Sequence, residues 1–356
     1  MSKKTGDFSG NKGEWSEVYV FLKLLADAKL QGADKNGNPA PNNCFKVLKV
    51  KYGEIEAFTG DDLLFKSKAG KCWYQRIAIQ NNSEQLYRCI CDGIGGRAFR
   101  IPDVEGFLRE IGYTQLQVTG INKRDIEVQT DDPSRGQQPC FGYSIKSEIG
   151  GSPTLLNASK STNLVFELEG LSTADIQVIN SITGARKLIQ RCEYIKERTS
   201  NIQFVQFANE TFRRNLQGID DGLPAIVAEC VYAHYFENCK TTEDAVDYLK
   251  YVNPRNYIST DLYETKYKRF LRSVALGMKP ATIWNDEDDA TGGYIIAKPN
   301  GELVAFFIYD RKLFDEYLYT FTFFERADTK RHDFMQAYEM NKKVFINLNL
   351  QIRFKS

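Results

Sequence analysis

The sequence has little histidine, no paired cysteines and no long apolar segment. Its 356 residues include only two histidines, His234 and His332, and none of the eight cysteines forms a Cys-x-x-Cys pair. Structural zinc is therefore not expected. The longest uncharged apolar run, residues 303–309, is far shorter than the roughly 20 residues that cross a bilayer, and residues 1–14 lack the apolar core of a signal peptide. We expect a folded, soluble, cytoplasmic protein without a membrane partner.

The chain also lacks a net charge of either sign. It carries 47 Lys and Arg residues against 46 Asp and Glu residues. Many proteins that bind nucleic acid have an obvious basic excess, so the overall charge argues mildly against such a partner. An enzyme can instead concentrate its cations locally, and residues 321–356 hold seven Lys or Arg against four Asp or Glu. The charge therefore permits DNA binding without indicating it.

Hydrophobic periodicity predicts a mixed α/β chain. Apolar residues between Trp15 and Ala26 recur at helical spacing and predict an amphipathic helix over residues 14–30. The other predicted helices cover residues 102–111, 185–197, 223–237, 242–252 and 263–276. Extended runs predict a meander of adjacent strands at 115–118, 125–129, 141–147 and 163–168. Further strands are predicted at 45–50, 73–79, 293–297, 303–309 and 344–354. The length and this order favour two domains, 1–195 and 196–356.

The meander brings together groups that could hydrolyse a phosphodiester. Asp125 begins one predicted strand, while Ser144 and Lys146 share a face of the next because side chains alternate along a strand. Such hydrolysis needs a carboxylate to hold a divalent cation and a cationic group to orient the attacking water. Asp125 and Lys146 could supply these two groups. The alternative is an exposed cross-strand ion pair, which contributes about 0.2–1 kcal/mol.

The acidic residue of the usual nuclease dyad, (D/E)xK, is missing because position 144 is serine. Glu14 and Glu17 are candidates to replace it, since they lie three residues apart on the first predicted helix. On a helical wheel Glu14 borders the apolar stripe and Glu17 points away from it, so the wheel favours Glu14. Helix capping and contact with solvent are the alternative roles, because acidic residues favour the first turn of a helix.

Two C-terminal segments carry side chains suited to contacting DNA. The first is a loop rich in hydrogen-bond donors, with Arg326, Lys330, Arg331 and His332. The second is the predicted strand 344–354, where alternation would place four polar groups on one face: Asn347, Asn349, Gln351 and Arg353. Just after Lys146, three further side chains could contact phosphate: Ser152, Thr154 and Asn157. The alternatives are a solvated loop, a sheet with a wet face, and turn formation.

Other polar features favour structural roles. His234 lies among apolar and aromatic residues and is interpreted as a core histidine. Residues 286–289 (DEDD) lack the alternating ligands of an EF-hand, so a solvated acidic loop is expected. Asp131 and Asp132 are alternative metal ligands, but they precede Pro133, so a role in a turn is favoured.

Four sequence blocks, in order, resemble the HpaII family of restriction endonucleases. They are 10–19 (GNKGEWSEVY) with 21–27 (FLKLLAD); 142–147 (GYSIKS) with 152–159 (SPTLLNAS) and 162–163 (TN); 275–278 (ALGM) with 290–296 (ATGGYII); and 348–354 (LNLQIRF). The resemblance implies a Mg²⁺-dependent Type II restriction endonuclease similar to the PD-(D/E)XK nuclease superfamily. The implied fold is an α/β nuclease core, a mixed sheet flanked by helices, with an α+β C-terminal half that reads DNA.

The resemblance also implies roles for individual residues. Asp125 takes the place of the superfamily's metal-binding aspartate and Lys146 that of its lysine, whereas Ser144 departs from the pattern. Members that lose this acid often recruit a helix glutamate, and a GxxxE arrangement runs here from Gly13 to Glu17. This favours Glu17, against the preference of the helical wheel. Glu17 and Glu14 therefore both stand beside Asp125 as expected metal ligands.

The resemblance further implies double-stranded DNA as substrate, cut at a short palindrome. The family's namesake reads CCGG, so this target is the expectation. Such enzymes are paired with a methyltransferase that protects host DNA, and a palindromic target is compatible with a homodimer. The competing interpretation is a non-cutting DNA-binding protein that keeps this fold after losing the acid at position 144.

Overall fold

The computed structural model describes residues 8–93, 97–116, 123–133, 136–329 and 332–355. Within these ranges the chain has a mixed α/β architecture. Its helices are α1 (Lys12–Asp27), α2 (Arg76–Asp92), α3 (Pro102–Glu110), α4 (Thr173–Ser181), α5 (Lys187–Arg198), α6 (Glu210–Ile219), α7 (Leu223–Phe236), α8 (Thr242–Val252), α9 (Asp261–Leu276) and α10 (Arg311–Thr320). We find no helix among them with the length and apolar character needed to span a membrane.

The strands fall into three sheets. They are β1 (Lys29–Ala33), β2 (Pro39–Tyr52), β3 (Ile55–Phe58), β4 (Asp62–Ser67), β5 (Gly70–Gln75), β6 (Ile126–Asp131), β7 (Cys140–Ser147), β8 (Thr154–Leu156), β9 (Asn163–Glu169), β10 (Asn201–Phe207), β11 (Gly293–Ala297), β12 (Leu303–Phe307), β13 (Thr322–Phe324), β14 (Ala337–Met340), β15 (Lys343–Asn349) and β16 (Ile352–Phe354).

Helix α1 carries the first predicted site residues. A capping box begins it: the Asn11 side chain accepts a hydrogen bond from the Glu14 amide, and the Glu14 carboxylate accepts one from the Asn11 amide. The apolar stripe is buried, as the periodicity predicts. The predicted end at Leu30 is wrong, because Ala28 adopts a left-handed conformation with φ of 49° and strand β1 follows directly.

The largest sheet has the order β1-β12-β11-β7-β6-β2-β3-β4-β5, and an additional pairing of β1 with β2 closes six of these strands into a ring. Strand β2 makes this closure possible because it is long enough to pair with both β1 and β3 along one edge. Its register against β6 shifts between Val47 and Lys49, and such an irregularity bends a strand. Strand β7 lies between β6, which is antiparallel, and β11, which is parallel.

Two smaller sheets have the orders β10-β9-β15-β14 and β13-β16-β8. They correct two sequence predictions. The predicted four-strand meander is wrong, because β9 pairs with β10 and β15 instead of β7, and residues 115–116 lie in no strand. Residues 117–118 of that prediction are outside the described ranges. The predicted strand 344–354 is two strands in different sheets, interrupted at Leu350 and Gln351.

Two hydrophobic cores meet at strand β11. One core packs α1, α2 and α3 against the large sheet and includes Ile295, whereas the other joins α6–α10 to the smaller sheets and includes Tyr294 and Ile296. The alternation of side chains along β11 thus serves both cores. Because β11 pairs with β7, the large sheet draws strands from both sides of residue 195. The division into 1–195 and 196–356 stays a prediction.

Candidate active site and DNA-binding groove

Asp125 and Ser144 meet where strands β6 and β7 pair. The Asp125 amide donates to the Tyr143 carbonyl over 2.9 Å, which fixes the backbone just before β6. The Asp125 carboxylate accepts hydrogen bonds from the Ile145 amide at 2.7 Å and from the Ser144 hydroxyl at 3.1 Å. Both bonds come from neutral donors and end on the same oxygen, Oδ2, so they orient the carboxylate for binding a cation.

Lys146 joins the same cluster through the serine. Its ammonium group donates to the Ser144 hydroxyl over 3.2 Å and lies 5.2 Å from the centre of the Tyr294 ring. Tyr294 is in register with Ser144 on the neighbouring strand β11. The structure therefore brings the three predicted residues of the β6–β7 pair together, with Ser144 as the bridge between Lys146 and Asp125.

Glu17, on α1, faces this cluster. Its carboxylate accepts a hydrogen bond from the Tyr52 hydroxyl over 2.8 Å. Burial and then repulsion by the Asp125 carboxylate raise the pKa of Glu17 to about 7. Glu14 instead closes the capping box of α1. The helical wheel's preference for Glu14 as the inward residue is therefore wrong, because the cap turns the Glu14 carboxylate back to the Asn11 amide.

The donor set fits a magnesium ion. No group of three or more His, Cys, Asp or Glu that could hold a metal occurs in the described residues. Mg²⁺, however, is often bound through only one or two carboxylates, with water and substrate phosphate completing its shell. Glu17 and Asp125 supply two such carboxylates. Burial and, after it, repulsion by the Asp125 carboxylate raise the pKa of Glu17, and a bound divalent cation would offset that repulsion.

A cleft of about 520 Å³ opens beside Glu17 and Lys146. Its walls come from the start of α1, the end of β7, the loop 150–153 and strand β8. Six of the predicted residues line it: Glu17, Lys146, Ser152, Thr154, Asn157 and Arg353. Glu17, Lys146 and the predicted phosphate contacts therefore share one opening, whereas Asp125 and Ser144 are not among its lining residues.

The cleft continues into a longer groove. A second cleft of about 480 Å³ shares Asn157 with the first, and a third of about 580 Å³ shares Glu325 and Arg326 with the second. The sheet β13-β16-β8 lies beneath, with Phe323, Arg353 and Thr154 opposite one another across its strands. We call the second and third clefts, with this sheet face, the recognition groove.

The predicted DNA-contacting residues separate into two groups. Arg326, His332 and Gln351 line the recognition groove. Asn347 and Asn349 do not: the buried Asn349 amide group donates to Ser159, Thr162 and Asn163, and Asn347 bonds to the Tyr338 hydroxyl and the Asp333 carbonyl. The expected common face is therefore wrong, because β15 ends at Asn349. Lys330 and Arg331 lie outside the described residues.

His234 is a core histidine, as expected. It is buried, and its Nδ1–H donates to the Cys239 carbonyl over 2.8 Å. Burial lowers the pKa of His234 to about 4, so the ring is neutral near pH 7. Its Nε2 atom has no partner in the described part of the chain.

Two acidic residues near the site were missed by sequence reasoning. Glu325 lies in the recognition groove beside Gln351 and Arg353. Asp289 belongs to the expected solvated loop, yet its carboxylate accepts a hydrogen bond from the Lys123 amide over 2.8 Å, two residues before Asp125. The loop interpretation is therefore wrong for Asp289. Both contacts join distant parts of the chain, and no local pattern marks them.

The chain is similar to known proteins over nearly its whole length. The sequence pattern of the HpaII restriction endonuclease family matches residues 11–354, and the chain belongs to that family. It is a Type II site-specific deoxyribonuclease. Over 98% of its length it is 36% identical to the Type II restriction enzyme HpaII of Haemophilus parainfluenzae, of which it covers 99%. No solved structure matches the chain. The predicted family is confirmed, and the non-cutting alternative finds no support.

Proposed function

We propose that the enzyme uses Mg²⁺ to hydrolyse phosphodiester bonds of double-stranded DNA at a short palindrome, CCGG. The observation that carries this proposal is the Lys146–Ser144–Asp125 chain of hydrogen bonds facing Glu17 at a cleft that opens into the recognition groove. The family's namesake supplies the expected target. The fold around the site is proposed to be a PD-(D/E)XK-like core whose acid at position 144 has moved to α1.

The residues divide the catalytic work. Glu17 and Asp125 would hold the Mg²⁺ ion, which when bound supplies positive charge against the negative charge that develops on the phosphate. Lys146, held in place by the Ser144 hydroxyl, orients the attacking water and contributes a second positive charge. Tyr52 positions Glu17 through its hydroxyl. Ser152, Thr154 and Asn157 bind the DNA backbone at the mouth of the cleft.

Target reading is proposed to fall mainly to the region 196–356, with 1–195 as the nuclease core. Arg326, His332, Gln351 and Arg353 are suited to it because they line the groove or its junction with the cleft. Lys330 and Arg331, which lie between Arg326 and His332 in the sequence, are proposed to contact phosphate. A cognate methyltransferase, a homodimer on the two-fold target and a cytoplasmic location complete the proposal.

The test is cleavage of unmethylated plasmid DNA. With Mg²⁺ we expect discrete fragments whose sequenced ends all derive from CCGG. Prior methylation of that sequence should block the reaction. Fragments with other ends would contradict the target, and equal cleavage in EDTA would contradict the metal.

A further inference from the structure

Glu325 occupies the centre of the recognition groove. It follows β13 directly and lines both the second and the third cleft. Its side chain is 36% exposed, so a ligand in the groove can reach it. A carboxylate at this place needs an explanation, because DNA is a polyanion and a nearby negative charge repels it.

Two side chains, one on strand β16 and one directly before it, donate hydrogen bonds to this carboxylate. The Gln351 side-chain amide donates to it over 2.8 Å, and the Arg353 Nη1 atom lies 3.0 and 3.1 Å from its two oxygens. The Glu325 amide also donates to the Gln351 carbonyl. The guanidinium charge offsets the repulsion from phosphate, and the bonds fix the direction of the carboxylate. Glu325 is therefore preorganised before DNA arrives.

The carboxylate keeps capacity to accept another hydrogen bond. An ionised carboxylate has about four acceptor positions. The donors described from Gln351 and Arg353 use three contacts, two of them on Oε2 and one on Oε1. A base edge with a hydrogen-bond donor can therefore approach Oε1 without displacing either partner.

The arrangement of donor and acceptor matches a C·G base pair. In the major groove guanine presents the acceptors O6 and N7, and cytosine presents the N4 amino donor. Arg353 is a donor and Glu325 an acceptor, and the two are adjacent. A thymine in place of the cytosine would present the acceptor O4 to the carboxylate, and two acceptors repel. The pair thus favours cytosine and rejects thymine.

We infer that Glu325 is a specificity-determining residue whose carboxylate accepts a hydrogen bond from the N4 amino group of a target cytosine. Arg353 faces the guanine of the same base pair and exchanges its contact with the Ser152 carbonyl for that base. This inference rests on the proposed function, since it assumes that the target contains C·G pairs at the contacted position.

The experiment combines a protein change with a base change. Binding of wild type and Glu325→Ala is measured in EDTA, which prevents cleavage, on a CCGG duplex and on duplexes in which one cytosine at a time is replaced by 2-pyrimidinone, which lacks the N4 amino group. We expect wild type to lose about ten- to a hundredfold in affinity at one cytosine position. Glu325→Ala should lose the same factor in affinity for the normal duplex. Its affinity for the duplex modified at that position should fall no further.

Two controls make the result decisive. Glu243→Ala removes a glutamate of similar exposure, 38%, that pairs with Lys355, and it should change neither affinity. Binding of wild type to a scrambled duplex tests the proposed function separately: no preference for CCGG would overturn that target. The wild type could clearly prefer CCGG while the loss from Glu325→Ala and the loss from the modified cytosine add when both changes are combined. That result would overturn the role of Glu325 alone.

Discussion

Ser144 changes how charge is distributed at the active site. Its hydroxyl donates to Asp125 and accepts from Lys146, so it links these two residues without adding a charge of its own. An acid at this position would put a third carboxylate beside Asp125 and Glu17. Serine leaves two, and burial followed by repulsion from Asp125 already raises the pKa of Glu17 to about 7. In the proposed site the second carboxylate is therefore that of Glu17 on helix α1.

Removing either end of this hydrogen-bonded chain should separate binding from cutting. We expect Asp125→Ala and Lys146→Ala each to lower the single-turnover cleavage rate by about a hundredfold or more, because each removes charge needed only as the phosphate reacts. Both variants should still shift a cognate duplex in a gel, since the recognition groove is intact. Near-normal cleavage by both would show that the active site lies elsewhere.

The two glutamates of α1 should respond differently to amide substitution. Glu17→Gln should abolish most cleavage, because it removes one of the two carboxylates proposed to hold Mg²⁺. Glu14→Gln should retain most cleavage and lower stability by about 1 kcal/mol or less, since a glutamine can still complete a capping box. Cleavage rates and urea unfolding measure the two effects. If Glu14→Gln slowed cleavage more than Glu17→Gln did, Glu14 would be the glutamate of the active site.

His234 should make stability fall as the solution is acidified. Burial lowers the pKa of His234 to about 4, below its unfolded value of 6.5, so the unfolded chain binds the proton more readily. This contribution is fully present above about pH 6.5 and is lost as pH falls toward 4; between pH 7 and pH 5 it amounts to about 2 kcal/mol. Urea unfolding at the two pH values measures it. His234→Asn can keep the bond to the Cys239 carbonyl, and an unchanged pH dependence in that variant would contradict the prediction.

Local signals explain which elements could be predicted. Helix α8 matches its predicted bounds because Thr241 and Asp244 form a capping box within the sequence itself. Strands β15 and β16 were fused because apolar alternation runs through Leu350 and Gln351, while the break between them comes from pairing with different sheets. Partners in a sheet depend on distant segments, so periodicity predicts a strand but not its neighbour.

The same contrast applies to the site. Asp125 directly precedes β6 and Lys146 lies on β7, and these strands are adjacent both in sequence and in the sheet, so alternation was enough to bring the two residues together. The choice between Glu17 and Glu14 depended on a cap and on contact with Tyr52, which a helical wheel does not represent. Glu325 and Asp289 approach their partners only through the tertiary fold.

The loop between α9 and β11 is an element that supports the catalytic strands. Asp289 accepts from the Lys123 amide, and the Thr291 hydroxyl accepts from the Gly142 amide, so the loop holds the backbone near the starts of β6 and β7. The buried Asn215 anchors the other end of the loop through the Lys279 and Thr282 carbonyls. This element links the helical core to the position of Asp125.

Loss of the Asp289 contact should slow the reaction more than it weakens binding. We expect Asp289→Ala to lower kcat by about ten- to a hundredfold with KM for DNA nearly unchanged, because a small displacement of Asp125 disturbs only the reacting geometry. Asp289→Asn should recover most of the rate, since an amide oxygen can still accept from Lys123. Asp286→Asn, in the exposed part of the loop, is the control. Equal rates for Asp289→Ala and wild type would remove the supporting role.

At the scale of the whole molecule, one chain contains a single catalytic cluster and a single recognition groove among its described residues. The cleft and the groove are continuous through Asn157, and strand β11 ties the two hydrophobic cores together. The proposed recognition groove and the proposed active site are therefore held within one packed structure. A palindrome has two equivalent strands to cut, and two-fold symmetry between chains would give each strand its own active site.

Mixing active and inactive chains tests this pairing. Wild type alone should convert supercoiled plasmid with one target site to the linear form with little nicked intermediate. In an equal mixture with Lys146→Ala that has exchanged subunits, random pairing gives two mixed pairs for each fully active one, so we expect about two nicked circles per linear molecule early in the reaction. Diluting wild type twofold with buffer is the control and should leave its products unchanged. If the mixture gives the same ratio of nicked to linear DNA as wild type alone, each chain cuts both strands by itself, and the proposed homodimer is wrong.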